Sequence, residues 1–251
     1  VRTHTKSDGD GTNYDARVSD LFTILMPLSH VESRIGGKAS LGKTRTTRDL
    51  HKYFLHKGKR MEKSSREISP KIARQRDRAH DHVMNTLAVS VKGLQPKRIL
   101  DVGTGYGMSL TFLACRFGRC ALIWSVDASP AVVHEMKKVM RKRQYSRHVI
   151  VKQASAEQLP FQSAHFQLVV SLFAFHHLSN PKRGLFEMER VLSQGGKLII
   201  ADWRPEAGKP LMLHAPSDIP SPTFVTKQFE RLGYRTKSRI RPYWYLIEAI
   251  K

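Results

Sequence analysis

The ten residues Arg98-Ile99-Leu100-Asp101-Val102-Gly103-Thr104-Gly105-Tyr106-Gly107 constrain the fold more than any other part of the chain. A short apolar run ends in an acid and a glycine-spaced turn, and an amphipathic segment, 108–117, follows. That order reads as strand, tight turn and helix, the unit by which α/β proteins hold a nucleotide-like ligand at the carboxyl end of a sheet. A second apolar run, Ala121 to Val126, ends in another acid, Asp127. Asp127 lies about twenty residues beyond the turn, the spacing of an acidic side chain that grips ribose hydroxyls from the neighbouring strand.

The glycine pattern separates two kinds of cofactor. A dinucleotide fingerprint, G-x-G-x-x-G, needs glycine where this chain has Met108; here the third glycine falls one residue earlier, giving D-x-G-x-G-x-G. With further segments in matching order, this resembles the first motif of class I S-adenosylmethionine (SAM) dependent methyltransferases. Ser155-Ala156-Glu157-Gln158-Leu159-Pro160-Phe161 resembles the loop that meets adenine, 166–171 the fourth strand, and Phe175-His176-His177-Leu178 the turn after it. Residues 190–200 look like the corner that enters the fifth strand. Over residues 97–251 the likeness is to the methyltransferases that include the ubiquinone and menaquinone biosynthesis enzymes. The chain departs from that pattern at Ser155, where many relatives carry an acid, at Gln167 in place of aspartate, and at Ser193-Gln194 in place of Lys-Pro. Thr104 stands where cysteine is common.

The resemblance implies an α/β fold, a Rossmann-like and mostly parallel class I methyltransferase sheet with an antiparallel C-terminal strand, behind a basic helical N-terminal extension. Strands are expected near 97–102, 121–126, 148–153, 166–171 and 196–202, with a closing pair at 235–241 and 243–250. Helices are expected near 107–117, 130–143, 182–193 and 223–232. Residues 1–12 read as a disordered tail, 13–95 as a basic, mainly helical extension or lid, and 96–251 as the methyltransferase domain. Within the extension, 15–35 and 72–91 have helical apolar spacing, and the second helix leads into the sheet.

The same resemblance assigns the SAM contacts. Gly103, Thr104, Gly105 and Gly107 would accommodate the methionine moiety and sugar, with Asp101 near the amino end. Asp127 would hold the ribose, Ala128 and Ser129 the adenine edge, and Ser155 and Ala156 the ring. Ser171, with Phe173 and Phe175, would line the acceptor side. The alternatives are structural: Asp101 as a strand-end acid, Asp127 as a helix cap, and apolar core at 173 and 175. His176 and His177 have two readings, a general base for the acceptor's proton or a pair that caps the turn and packs under the lid. His80-Asp81-His82 reads as a solvated helix face, and no metal-ligand spacing stands out.

Charge adds a second expectation. The chain of 251 residues has 43 Lys and Arg against 21 Asp and Glu, a net charge of +22. Such an excess points to a polyanionic partner, RNA or an anionic lipid surface, unless it only keeps the protein soluble. Cys115 and Cys120 read as core residues in a reducing, cytoplasmic setting, and no apolar run is long enough to cross a bilayer. The first expectation is therefore a SAM-dependent methyltransferase acting on an unidentified small or lipid-like acceptor. An enzyme for RNA or a ribosome-associated protein, or a degenerate SAM-binding module that binds nucleic acid, are the alternatives. The turn after the fourth strand, Ser171-Leu172-Phe173-Ala174-Phe175, lacks the Asn/Asp-Pro-Pro-aromatic sequence of many base-methylating enzymes and has no cysteine for covalent attack.

Overall fold

A computed structural model describes residues 70–207 and 219–251, all within one unit, Lys57–Lys251. The expectations for residues 1–69, the tail, the first helix and most of the basic extension, lie outside the described residues.

Among the described residues the elements alternate as the apolar periodicity requires. They are α1 (Pro70–Ser90), β1 (Arg98–Val102), α2 (Met108–Phe117), β2 (Leu122–Asp127), α3 (Pro130–Lys142), β3 (Val149–Gln153), β4 (Phe166–Leu172), α4 (Pro181–Val191), β5 (Leu192–Trp203), α5 (Pro222–Arg231), β6 (Arg235–Ile240) and β7 (Trp244–Ile250). The strands form one sheet in the order β3-β2-β1-β4-β5-β7-β6. The first five pair in parallel; β7 runs antiparallel to both β5 and β6. Strand order reverses between β1 and β4, so the carboxyl ends of β1 and β4 flank the crevice where open α/β sheets bind ligands. Three helices start on a proline behind a polar cap: the side chains of Ser129, Asn180 and Ser221 accept the backbone N–H groups of Val132, Arg183 and Phe224.

One boundary differs from expectation. β5 starts at Leu192, not near 196, and the segment read as the end of a helix belongs to the strand. Pairing slips between Phe166 and Leu168, where Leu192 and Lys197 are their partners. The residues between bulge out through Gly195 (φ 71°), so helical spacing alone misplaced the corner. The central strands are continuous apolar runs buried on both faces, as Leu168, Val169, Val170, Leu198, Ile199 and Ile200 show at 0% exposure. The cysteines do not join that core: Cys115 is half-buried, Cys120 is exposed, and both are free thiols. No described helix is long and apolar enough to cross a membrane.

Candidate cofactor and acceptor site

The first two strands deliver the glycine turn and Asp127 to the same place. The Gly103 and Thr104 N–H groups both donate to the Val126 carbonyl, at 2.8 and 3.0 Å, which ties the turn to the end of β2. Asp127 then closes the turn from its own side chain. Its Oδ2 accepts the Gly105 N–H at 2.9 Å, and its Oδ1 accepts the Ser129 N–H at the same distance. A carboxylate oxygen has a second lone pair, so both remain able to accept from hydroxyl groups, and Asp127 is only half-buried.

Two glycines need their missing side chain for different reasons. Gly103 has φ 85°, and a Cβ there would stand 2.2 Å from the Cβ of Ala174, in the turn after β4. The close approach locks the first turn against the fourth strand. Gly105 has φ 46°, and its Cβ would find nothing nearer than the Gly103 carbonyl at 4.0 Å. That space is open to a ligand. Gly107 is buried at the start of α2, and its N–H donates to the Thr104 carbonyl.

Asp101 is placed differently from a ligand-facing acid. It is fully buried beneath the turn; its Oδ1 accepts the Ser109 hydroxyl and its Oδ2 the Ser125 hydroxyl, each at 2.6 Å. The Thr104 hydroxyl meets that of Ser125, also at 2.6 Å. Burial pushes the Asp101 carboxyl up to about 6, and the two hydroxyls only partly offset it. The acid thus braces β1, β2 and the start of α2 from below. Ser129 likewise spends its hydroxyl on capping α3, at 3.4 Å from Val132 N, beside an exposed Ala128.

The 155–163 loop is anchored from α4 by Glu187 and Arg190. Glu187 accepts the Leu159 N–H through Oε2 (2.9 Å) and takes Arg190 in a fork, Nε on Oε1 and Nη2 on Oε2. Arg190 also donates to the carbonyls of Phe161 and Leu159. Hydrogen bonding from Arg190 holds the Glu187 carboxyl below the usual range. The loop therefore presents an exposed Ser155, whose hydroxyl accepts the Glu157 N–H, and a half-buried Ala156 at a fixed place.

The turn after β4 separates the two histidines. His176 is buried (5% exposed), with Nδ1 at 2.6 Å from Asp202 Oδ1 and its backbone N–H on Asp202 Oδ2 at 2.8 Å. Asp202, the penultimate residue of β5, also accepts the Trp203 N–H. With Asp202 as a carboxylate, which only accepts, the ring proton of this pair would sit on Nδ1. His177 is exposed and lies against it, ring centroids 4.1 Å apart. Asp202 has no sequence signature; its only hint is an acid at the end of a predicted strand.

Phe175 is core at 0% exposure, while Phe173 is held at φ 52° with its N–H on the Ala201 carbonyl. Such a conformation is rare for a bulky residue and concentrates at functional sites. The Phe173 ring lies 4.5 Å from those of both His80 and Trp203. His80 is therefore no part of a solvated face: α1 packs it against the carboxyl ends of β4 and β5, while Asp81 and His82 stay exposed. Ser171 is buried with a hydroxyl that has no hydrogen-bond partner. Among the described residues no cluster suited to a metal ion occurs.

Known proteins resemble this chain in sequence and in fold. Residues 100–200 match the family model described as methyltransferase domain. The ubiquinone/menaquinone biosynthesis C-methyltransferase of Blochmanniella pennsylvanica is 30% identical over 154 residues, 61% of this chain and 58% of that protein. The phthiotriol/phenolphthiotriol dimycocerosates methyltransferase of Mycobacterium leprae is 34% identical over 129 residues, 51% of this chain and 46% of the relative. The chain thus spans about half the length of these curated relatives. A crystal structure of a SAM dependent methyltransferase from Aquifex aeolicus shares the fold, with a TM-score of 0.52 at 22% identity over 73% of this chain and 99% of that one.

Proposed function

We propose that this chain, whose residues 100–200 belong to the methyltransferase domain family, transfers a methyl group from SAM to a small-molecule or lipid-like acceptor. The observation that carries the reading is the glycine turn closed by Asp127 through Gly105 N–H, with open space above Gly105. These residues fit the cofactor: Gly103, Gly105 and Gly107 leave the turn without side chains at three positions, Thr104 turns its hydroxyl to Ser125, Asp127 offers lone pairs to ribose hydroxyls, and Ala128, Ser129, Ser155 and Ala156 would border the adenine. When bound, SAM supplies an electrophilic methyl on sulfur, so the protein has little covalent chemistry to perform.

The chain's own residues then position, shield and deprotonate. Asp101 supports the cradle from beneath, and Ser171 holds a spare hydroxyl at the end of β4. Phe173, Trp203 and His80 form an aromatic wall beside the carboxyl ends of β4 and β5, suited to excluding water from an apolar acceptor. Pinned by Asp202, His176 fixes the turn. His177, exposed beside it, would take the acceptor's proton. The two relatives above are named for ubiquinone/menaquinone biosynthesis and for dimycocerosates, which favours a lipid-like acceptor over a nucleobase.

The test is incubation of the full chain with methyl-labelled SAM and a cell extract, followed by separation into lipid, small-molecule, RNA and protein fractions. Label in the lipid or small-molecule fraction supports the reading. Label in RNA or protein contradicts the acceptor class, and label in no fraction contradicts methyl transfer.

A further inference from the structure

A groove of about 540 Å³ runs between α1 and the β6–β7 turn. One wall is the helix face bearing Lys71, Arg74 and Arg78; the other is Arg241 and Tyr243, with Trp244 between them and the sheet. The helix spacing, three and four residues, puts its cations in one row. The edge strand β6 runs up to this wall, ending at Ile240 beside Arg241. Arg235, Lys237 and Arg239 alternate in β6 with Thr236 and Ser238. Ser238 meets Thr226 of α5 at 3.2 Å, so that helix covers the Thr and Ser face. The three cations therefore project from the opposite face. It is the face of Glu248, directly across from Lys237, which accepts the Ser90 hydroxyl of α1.

Among the described residues no carboxylate pairs with Lys71, Arg74, Arg78, Lys237 or Arg239. Glu248 is taken by Lys197 at 2.9 Å, and Glu206 by Arg204 at 3.1 Å. Same-face residues of a strand stand roughly 7 Å apart, a separation of the order of that between successive phosphates in an extended single strand.

We infer that this groove binds single-stranded RNA, its phosphates running between the α1 and β6 cations and a base stacking on Tyr243. Cations on two facing walls suit one polyanionic chain lying between them, whereas a planar membrane would reach only the rims. Tyr243 is 38% exposed at the end of the groove, as an aromatic platform requires. The inference does not rest on the methyl-transfer reading, and its readout is binding alone.

The test is fluorescence anisotropy of the full chain with a labelled oligouridylate, titrated at several salt concentrations. We expect salt-dependent binding. In the variant Arg74→Gln/Arg78→Gln/Lys237→Gln/Arg239→Gln the slope of log K against log salt should fall by about 3, since each lost contact to a single strand removes about 0.7. Tyr243→Ala should weaken binding about tenfold. The pairwise variants, Arg74→Gln/Arg78→Gln and Lys237→Gln/Arg239→Gln, should each lower the slope by about half as much, and they replace the quadruple variant if its melting curve shows it unfolded. Unchanged RNA affinity and slope in the folded variants would overturn the proposal. So would retention of the full chain on phosphatidylserine vesicles, lost in the variants, with no binding to RNA.

Discussion

Asp127 and Gly105 are joined by a hydrogen bond of 2.9 Å across 22 residues of sequence. The acid that ends β2 therefore orders the turn that ends β1. On the proposed reading the same carboxylate would also accept the ribose hydroxyls, so that binding and preorganisation would rest on one side chain. A ligand whose hydroxyls reach Asp127 finds the glycine turn already closed, without a further ordering cost.

The two glycines of the turn should respond in opposite ways to the same substitution. Gly103→Ala adds a methyl 2.2 Å from Ala174 Cβ at φ 85°, and should cost roughly 2–4 kcal/mol of stability in denaturant unfolding. Adding Ala174→Gly should restore about half of that, because the clash goes and the backbone strain stays. Gly105→Ala meets no close atom and should lower SAM affinity far more than stability. Equal destabilisation by both would contradict the assignment of open space to Gly105.

Asp101 gives a pH signature. Its carboxyl is raised from 3.8 to about 6 in the folded chain. Between those values the folded state keeps a proton that the unfolded state has released, so stability falls as pH rises through this window. The full difference is about 3 kcal/mol. Asp101→Asn cannot titrate, so its stability relative to the unmodified chain should improve by about that amount from pH 4 to pH 7. A pH-independent difference would show that Asp101 is not buried between Ser109 and Ser125.

Much of this was legible in the chain because glycine and proline act locally. The D-x-G-x-G-x-G turn and the apolar periodicity predicted the described α-helices and strands within a few residues. Legibility stopped where long-range contacts decide. Asp202, 26 residues from His176, and the Glu187–Arg190 fork on the 155–163 loop have no periodicity to betray them. The bulge at Gly195 and the placement of His80 against Phe173 likewise depend on neighbours remote in sequence. Asp101 has two readings, near the ligand's amino end or a structural strand-end acid, and the hydroxyls of Ser109 and Ser125 that engage it, one and two elements further on, carry no signal by which its motif position alone could choose.

The histidines should separate stability from rate. Asp202→Ala strands the ring N–H of His176 and the backbone N–H groups of His176 and Trp203, and should cost about 3 kcal/mol or more. His177→Ala should leave SAM affinity unchanged but lower kcat and abolish the rate limb that rises with pH. An unaltered pH profile would remove His177 from the chemistry.

Arg190→Lys tests the loop anchor. Lysine cannot reproduce the fork on Glu187 or the bonds to the Leu159 and Phe161 carbonyls, so stability should fall by about 1–3 kcal/mol and the KM for SAM should rise. Because Arg190 depresses the Glu187 carboxyl, the stabilisation from this pair is present at neutral pH. It is lost as pH drops below the ordinary glutamate range. The Arg190→Lys chain should show a weaker decline there.

The cofactor pocket is tested most directly by calorimetric titration of the full chain, unmodified and as Asp127→Ala, with SAM and with its demethylated product. The unmodified chain should bind both ligands, and loss of the carboxylate should weaken each by about ten- to a hundredfold. No heat with either ligand, or the same affinity in the variant, would contradict the account.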